Sequence, residues 1–250
     1  MKLEEITKKL NKLNSLRPLS NEQLHNLKSF IDVEYTYHSN AIEGSTLSFS
    51  ETKLILQSGL TIGGKPLSEH LEAINHRDAI NFIEEISSSK MLTLRDIKDI
   101  HSIILRVINS KEAGSFRVRD VGVRKSDGEI HKFCEPLKIE DEMRELIEWF
   151  ESDNSHIVIK SALLHLKFVT IHPFIDGNGR TARLLMNLIL IQNGYPITII
   201  KLQDRVEYIQ AIEEYQESGD SHIFIDFIAK KVEDSLDNIL DILTNNIKII

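Results

Sequence analysis

Helical spacing of apolar residues runs through most of this 250-residue chain and gives way once to a strand-like segment. Apolar residues recur at three- and four-residue steps, as in Leu3, Ile6, Leu10 and Leu13, and glycine and proline are scarce. Residues 116–133 are instead rich in valine and contain an Asp-Gly pair where a hairpin would turn. The sequence therefore predicts a mainly α-helical single domain with one β-hairpin.

Composition and charge exclude several classes of protein. The formal net charge of -8 argues against a nucleic-acid partner, because such proteins usually present a basic face. The single cysteine, Cys134, excludes an internal disulfide framework and a cysteine-rich zinc site. The N-terminus shows no apolar leader, and no apolar run approaches the ~18 residues that suggest a membrane span. We therefore expect a cytoplasmic protein with no membrane partner.

Residues 172–183 carry the groups of a phosphate-binding site. The glycines of the Asp-Gly-Asn-Gly loop at 176–179 allow backbone N–H groups to converge on an anion. The next helix is predicted to begin at about Arg180, so the positive end of its dipole faces the same point. Arg180 and Arg183 are three residues apart, which predicts that two guanidinium groups on one helix face bind a polyphosphate.

Two residues of this stretch add acid–base and metal chemistry. A carboxylate at Asp176 suits a divalent cation that bridges phosphates. A neutral imidazole at His172, with an unperturbed pKa of about 6.5, accepts a proton from a hydroxyl group near neutral pH. Phe174, between them, is expected to point into the core and anchor the loop. The stretch thus predicts a nucleotide site with a general base beside it.

The run from His172 to Arg183 resembles the Fic family signature, His-x-Phe-x-Asp/Glu-Gly-Asn-Gly-Arg-x-x-Arg, at every defining position. The resemblance covers roughly residues 30–230 and implies a helical Fic domain with a hairpin flap. It implies transfer of AMP from ATP to a Ser, Thr or Tyr hydroxyl of a target protein, with release of pyrophosphate and with His172 as the catalytic base. It implies Mg²⁺ (or Mn²⁺) bound by Asp176, and a nucleotide held by Asp176, Gly177, Asn178, Gly179, Arg180 and Arg183.

A second segment, from Ser39 to Gly44, resembles the inhibitory motif Ser/Thr-x-x-x-Glu-Gly/Asn of autoinhibited members. We expect a helical break near residues 37–39 and a short turn closed by Gly44. The resemblance implies that Glu43 pairs with Arg183 and withholds that guanidinium from the γ-phosphate. On this interpretation residues 1–50 are N-terminal helices that include the inhibitory helix, at about 37–44. Residues 51–250 are then the Fic core, with the flap and the C-terminal helices.

Two further segments resemble parts of the family's target and nucleotide sites. The segment that begins at Gly114 and runs into the hairpin resembles the flap, whose edge pairs with the backbone of a target protein. The segment 208–216 resembles the helix that lines the adenosine pocket, with glutamine where a close relative has asparagine. These resemblances add six nucleotide-binding residues: Val121, Gly122, Val123, Arg124, Tyr208 and Gln216.

Several alternatives remain open at this stage. The same site could remove AMP, with Glu43 positioning a water molecule beside His172. The chain could also be a catalytically quiet ATP-sensing or antitoxin-like binding module, although the intact His172 counts against this. A third alternative is transfer of another group, such as phosphate or a phospholipid head group. Self-AMPylation is compatible with the site, and apolar stripes near both chain ends are compatible with a homodimer.

Overall fold

The computed structural model describes residues 3–89, 91–124 and 128–244, and this part of the chain is mainly α-helical, as predicted. Its one sheet is an antiparallel hairpin in which Gly122 lies opposite Lys132. The elements are α1 (Leu3–Ser15), α2 (Asn21–Ile42), α3 (Phe49–Ser58), α4 (Leu67–Ile86), α5 (Leu94–Leu105), β1 (Gly122–Arg124), β2 (Ile130–Lys132), α6 (Ile139–Ser152), α7 (Ile157–Ile171), α8 (Asn178–Gln192), α9 (Arg205–Ser218) and α10 (His222–Thr244).

Helix α8 is the central element of the domain. Every residue from Arg180 to Leu190 is buried, and α2, α4, α5 and α7 all pack against this helix. Asn178, Arg180 and Thr181 in its first turn are buried, so the N-terminus of α8 lies among the surrounding helices. Among the described residues, none of the helices is long and apolar enough to cross a membrane.

Helix α2 is longer than the sequence predicts. Its N-terminus has the predicted capping box, in which Ser20 and Gln23 each bond the other's backbone amide. The break expected near residues 37–39 is wrong, because the helix continues to Ile42 and its last turns are buried against α3, α4 and α8. Gly44 ends it with a positive φ of 103°. Burial of this polar face outweighs its weak helix propensity.

The N-terminal helices pack closely on the rest of the chain. Helix α1 lies along α10, and Lys9 bridges Glu233 and Asp237 there at 2.7 Å each. The predicted boundary at residue 50 falls in the first turn of α3, so the division into residues 1–50 and 51–250 remains a prediction.

The hairpin is shorter than the predicted 116–133. Residues 116–121 lie outside its strands, because the Arg117 amide donates to Pro173 O at 2.9 Å and the Arg117 side chain is buried in the body of the domain. Gly128 has the positive φ expected of a turn glycine, at 91°. Its predicted turn partner, Asp127, lies outside the described residues.

Candidate active site

A cavity of about 450 Å³ opens between the end of α2, the hairpin, the α7–α8 loop and α9. Its volume is in the range of small-molecule sites. It brings together eight of the residues selected from the sequence: Glu43, Val123, Arg124, His172, Gly179, Arg183, Tyr208 and Gln216. The rest of its lining is Ile42, Phe133, Val169, Arg205, Ile209, Ile212 and Glu213. The other selected residues lie outside this lining: Ser39, Val121, Gly122, Asp176, Gly177, Asn178 and Arg180.

His172 ends α7 in the left-handed conformation, with φ 53° and ψ 58°. Its Nδ1 lies 3.3 Å from the carbonyl oxygen of Val169, which can only accept, so we assign the proton to Nδ1 and the acceptor role to Nε2. The Phe133 ring stacks on the imidazole with 3.8 Å between centroids. Burial lowers the pKa of His172 to about 4, so the imidazole is neutral at pH 7 and able to take up a proton.

The α7–α8 loop is held from within by two side chains. The Asn178 amide accepts from Phe174 N at 3.0 Å and donates to Phe174 O at 2.9 Å. His101 accepts from Gly114 N at 2.9 Å, so its other nitrogen donates to Asp176 O, also at 2.9 Å. The His101 ring stacks on Phe174, which is fully buried as predicted. The Asn178 side chain therefore braces the loop in this structure.

Helix α8 begins at Asn178, two residues earlier than predicted. The first N–H groups of a helix have no acceptor within it, and Gly179 in this first turn lines the cavity. A side chain at Gly179 would collide with the Glu43 carboxylate, so this position has no room for one. The end of the helix thus has the geometry and the dipole of an anion site.

Arg183 is fully buried and is held by α2. Its Nε donates to Ser39 Oγ at 3.0 Å, and its Nη2 donates to Ser39 O at 2.9 Å and to Glu43 Oε1 at 2.8 Å. Its Nη1 lies 3.3 Å from the hydroxyl of Tyr208, which also contacts His165 Nε2 at 2.8 Å. Ser39, Glu43 and Tyr208 therefore meet at one guanidinium.

Arg180 does not share the cavity with Arg183. Its guanidinium is buried against α4, 3.5 Å from Glu72, and lies 3.4 Å from Asp176. The sequence expectation of two arginines directed at one polyphosphate thus differs from the observed arrangement. The N-terminus of α8 lies between α2 and α4: Glu72 of α4 is an acidic partner of Arg180, and Glu43, which directly follows α2, is the acidic partner of Arg183.

Asp176 is a suitable ligand for a divalent cation bound with a substrate. Its side chain is 62% exposed, and one carboxylate oxygen accepts from Gly177 N at 2.6 Å. Within the described part of the chain, no group of three or more His, Cys, Asp or Glu side chains could hold a metal ion by itself. Mg²⁺ commonly binds through one or two carboxylates and substrate phosphates, and this donor set fits that mode.

The hairpin and α9 supply the remaining walls. Val123 and Arg124 of β1 face the cavity, whereas Gly122 lies against Ile130 and His131 with no room for a Cβ. Gln216 lines the cavity near the end of α9.

Sequence reasoning missed several residues of the site, among them His101, Arg117, Phe133 and Arg205. Arg205 Nε donates to Ile42 O at 2.8 Å, where α2 ends. Arg117 Nε donates to His172 O at 2.8 Å. These contacts join residues far apart in sequence, so no local sequence pattern predicts them.

Comparison with known proteins supports this assignment of the fold. Residues 91–190 match the model of the Fic/DOC family. A protein adenylyltransferase Fic of Nematostella vectensis is 37% identical over 240 residues, covering 94% of this chain and 55% of that protein. The protein adenylyltransferase fic-1 of Caenorhabditis elegans is 35% identical over 209 residues, covering 81% of this chain and 40% of that protein. The chain therefore spans about half the length of the curated relatives it matches.

Solved structures give the same result. A crystal structure of a Fic domain containing signaling protein from Bacteroides thetaiotaomicron has a TM-score of 0.89 and 28% identity, covering 95% of this chain and 96% of that one. A structure of Fic-1 from C. elegans has a TM-score of 0.82 and 29% identity, covering 97% of this chain and 74% of that one. By its signature, its fold and these relatives, the chain belongs to the Fic/DOC family.

Proposed function

We propose that this protein is an adenylyltransferase that transfers AMP from ATP to a hydroxyl side chain of a target protein. One observation carries the proposal: a neutral imidazole with an available Nε2 lies in a nucleotide-sized cavity that is also lined by Gly179, in the first turn of a helix. A general base beside an anion site is what nucleotidyl transfer to a hydroxyl group requires. The names of the matched relatives agree with this activity.

In the proposed reaction, Nε2 of His172 takes the proton of the target hydroxyl as its oxygen bonds to the α-phosphorus. The bond from that phosphorus to the bridging oxygen breaks, and pyrophosphate leaves with the electron pair. The N-terminal amides of α8 and the Arg183 guanidinium hold phosphate oxygens, and Asp176 would hold Mg²⁺ or Mn²⁺. Such an ion neutralises phosphate charge when it is bound. The apolar wall formed by Ile209 and Ile212 suits a nucleobase.

The same site is proposed to be autoinhibited. Glu43 Oε1 lies 2.8 Å from Arg183 Nη2, and its carboxylate occupies the space above Gly179, at the N-terminus of α8. A γ-phosphate would need the same guanidinium and the same region, so the carboxylate competes with it. Removing the Glu43 side chain should therefore allow ATP to bind in a productive pose.

The target protein is proposed to dock along the hairpin. Val123 and Arg124 of β1 border the cavity that contains His172, so a strand added at the hairpin edge would bring a hydroxyl towards the imidazole. A homodimer of this chain also remains a prediction from the sequence.

Removal of AMP is a second candidate, because Glu43 and His172 line one cavity. A water molecule held between these two groups would attack the phosphorus of the AMP–protein ester. The bond from phosphorus to the target oxygen would break, and the products would be AMP and the protonated target hydroxyl. Incubating an AMP-modified target with the wild-type protein, in the absence of ATP, would detect release of AMP and separate the two directions.

The primary test uses labelled ATP with purified wild-type, Glu43→Gly and His172→Ala proteins. We expect Glu43→Gly to increase self-labelling at least tenfold and the double variant Glu43→Gly/His172→Ala to abolish it. Glu145→Gln and Glu43→Gln give a matched pair of isosteric changes, and only the second should raise labelling.

Two results would contradict the proposal. Equal labelling of the wild-type and Glu43→Gly proteins would remove the inhibitory role of Glu43. Labelling that persists in the Glu43→Gly/His172→Ala protein would show that His172 is not the general base. If neither result occurs, the Glu43→Gly protein can be incubated with labelled ATP in a lysate, and mass spectrometry of the labelled proteins would identify the modified hydroxyl groups.

A further inference from the structure

The guanidinium of Arg117 occupies an unusual position beside the site. Arg117 is 2% exposed, and its side chain is among the largest buried side chains of the domain. Among the described residues, no carboxylate forms an ion pair with it. Instead it donates to three backbone carbonyls: His172 O at 2.8 Å, Arg119 O at 3.0 Å and Cys134 O at 2.5 Å.

These three carbonyls belong to the base and to both ends of the hairpin. Arg119 lies just before β1 and Cys134 just after β2, so one side chain binds the chain on either side of the two strands. The third carbonyl is that of His172, whose left-handed backbone is uncommon for a residue other than glycine. The Arg117 amide adds a fourth contact, to Pro173 O at 2.9 Å.

The Arg117 clamp, by which we mean its bonds to His172 O, Arg119 O and Cys134 O, also fixes the imidazole ring. Phe133, which stacks on the His172 ring at 3.8 Å between centroids, directly precedes Cys134. Holding Cys134 O therefore holds the Phe133 ring against one face of the imidazole, while the bond to His172 O fixes the backbone that carries it. A displacement of the hairpin would move Phe133 and the imidazole together.

The charge of Arg117 acts on the same ring. Burial has the largest effect in lowering the pKa of His172, and Arg117 lowers it further, while the contact with Val169 O, Glu43 and Asp176 oppose the shift. The guanidinium therefore favours the neutral imidazole, which is the form that accepts a proton.

We propose that Arg117 is a positioning residue that couples the hairpin to the general base, so that a target docked on the hairpin meets His172 in a fixed orientation. This inference rests on the proposed function and deepens it: the hairpin acts as part of the base's support as well as a docking edge. Arginine is needed because its planar group donates in several directions at once, which a lysine ammonium on a flexible stem does not reproduce.

The test compares Arg117→Lys with Arg144→Lys, an exposed arginine on α6, both in the Glu43→Gly background. We expect Arg117→Lys to lower kcat for AMP transfer about 100-fold, the loss associated with a misplacement of about 1 Å. The dissociation constant for ATP should change less than twofold, and Arg144→Lys should leave both quantities unchanged. An unchanged kcat in Arg117→Lys would overturn the proposal.

A second measurement separates positioning from folding. NMR spectra of uniformly isotope-labelled protein should show two changes in Arg117→Lys: shifted resonances of the His172 ring and shifted amide resonances of the hairpin. The amide resonances of α10 should stay in place. Loss of ATP binding and of the folded spectrum would instead assign Arg117 to the fold alone and overturn the proposal. Phe133→Leu removes the ring stack but keeps the bonds of Arg117, so it should lower kcat by a smaller factor than Arg117→Lys does. An equal loss of about 100-fold would mean that the ring stack alone positions His172, and it would overturn the role of the bond from Arg117 to His172 O.

This design also distinguishes the two proposals. If the Glu43→Gly protein with intact Arg117 transfers no AMP, the proposed function fails. The NMR comparison does not depend on turnover, so it still decides whether Arg117 couples the hairpin to His172.

Discussion

Arg183 is bound by more than its acidic partner. Of its four hydrogen bonds to the described residues, three go to Ser39 and Tyr208 and one goes to Glu43. Removing the Glu43 carboxylate therefore leaves a guanidinium that is still anchored in place. Under the proposed inhibition, the contact with Glu43 can be released without loss of Arg183, so changing Glu43 should activate the protein without disrupting its site.

The buried position of His172 predicts the pH dependence of transfer. Because its pKa is lowered to about 4, the imidazole stays neutral as the pH falls from 8 to 5, and activity is lost only as the pH falls through about 4. We expect kcat/KM of the Glu43→Gly protein to show no inflection near pH 6.5. A half-loss of activity at that pH would instead indicate a base with an ordinary histidine pKa.

The C-terminal end of α2 is held in place by a distant segment of the chain. Arg205 Nε donates to Ile42 O at 2.8 Å, and Leu202 N donates to His38 Nδ1 at 3.1 Å. This segment, residues 202–205, contacts α10 through an ion pair between Asp204 and Lys231 at 2.8 Å. The orientation of the last helical turn, and of Glu43 after it, thus depends on the start of α9.

Loss of the Arg205 contact should weaken inhibition. In Arg205→Ala the Ile42 carbonyl loses its side-chain donor, so the last turn of α2 can fray and the Glu43–Arg183 pair opens more often. We expect self-labelling at saturating ATP to rise several-fold, to less than the level of Glu43→Gly. Arg144→Ala serves as the control. Labelling equal to the wild type would mean that α2 holds its end without Arg205.

Local patterns predicted the elements better than the contacts between them. Capping boxes such as Ser20–Gln23 are local, and so is the spacing that predicts α8. The break near residues 37–39 was wrong because tertiary burial, which a local pattern does not contain, carries α2 through Ser39. The divergence of Arg180 and Arg183 also depends on helices from other parts of the chain, since α4 supplies Glu72. The signature located the site, and packing determined which side chains face it.

The domain as a whole contains several histidines that burial keeps neutral. The pKa values of His38, His101 and His172 are each lowered to about 4, with burial as the largest cause. Those of His76 and His165 are lowered well below the usual value, also chiefly by burial. In the unfolded chain these groups would titrate near pH 6.5, so protons bind the unfolded state first as the pH falls.

Stability should therefore decrease on acidification. Below about pH 6.5 the free energy of unfolding falls, and by pH 5 each histidine with a pKa near 4 has removed about 2 kcal/mol. Urea denaturation at pH 7.5 and pH 5 would measure the difference. His38→Gln should reduce this pH dependence, whereas His25→Gln, at an exposed position, should not. A urea midpoint independent of pH would contradict the expected contribution of the buried histidines.

The Glu43–Arg183 pair joins residues 140 positions apart in a single chain. Its two groups therefore meet at a local concentration that dilution of the protein cannot change. An inhibitor supplied by a second molecule would be lost at low expression, whereas this contact persists in every copy. Under the proposed inhibition, opening the pair requires a shift of α2 or a change at the carboxylate itself.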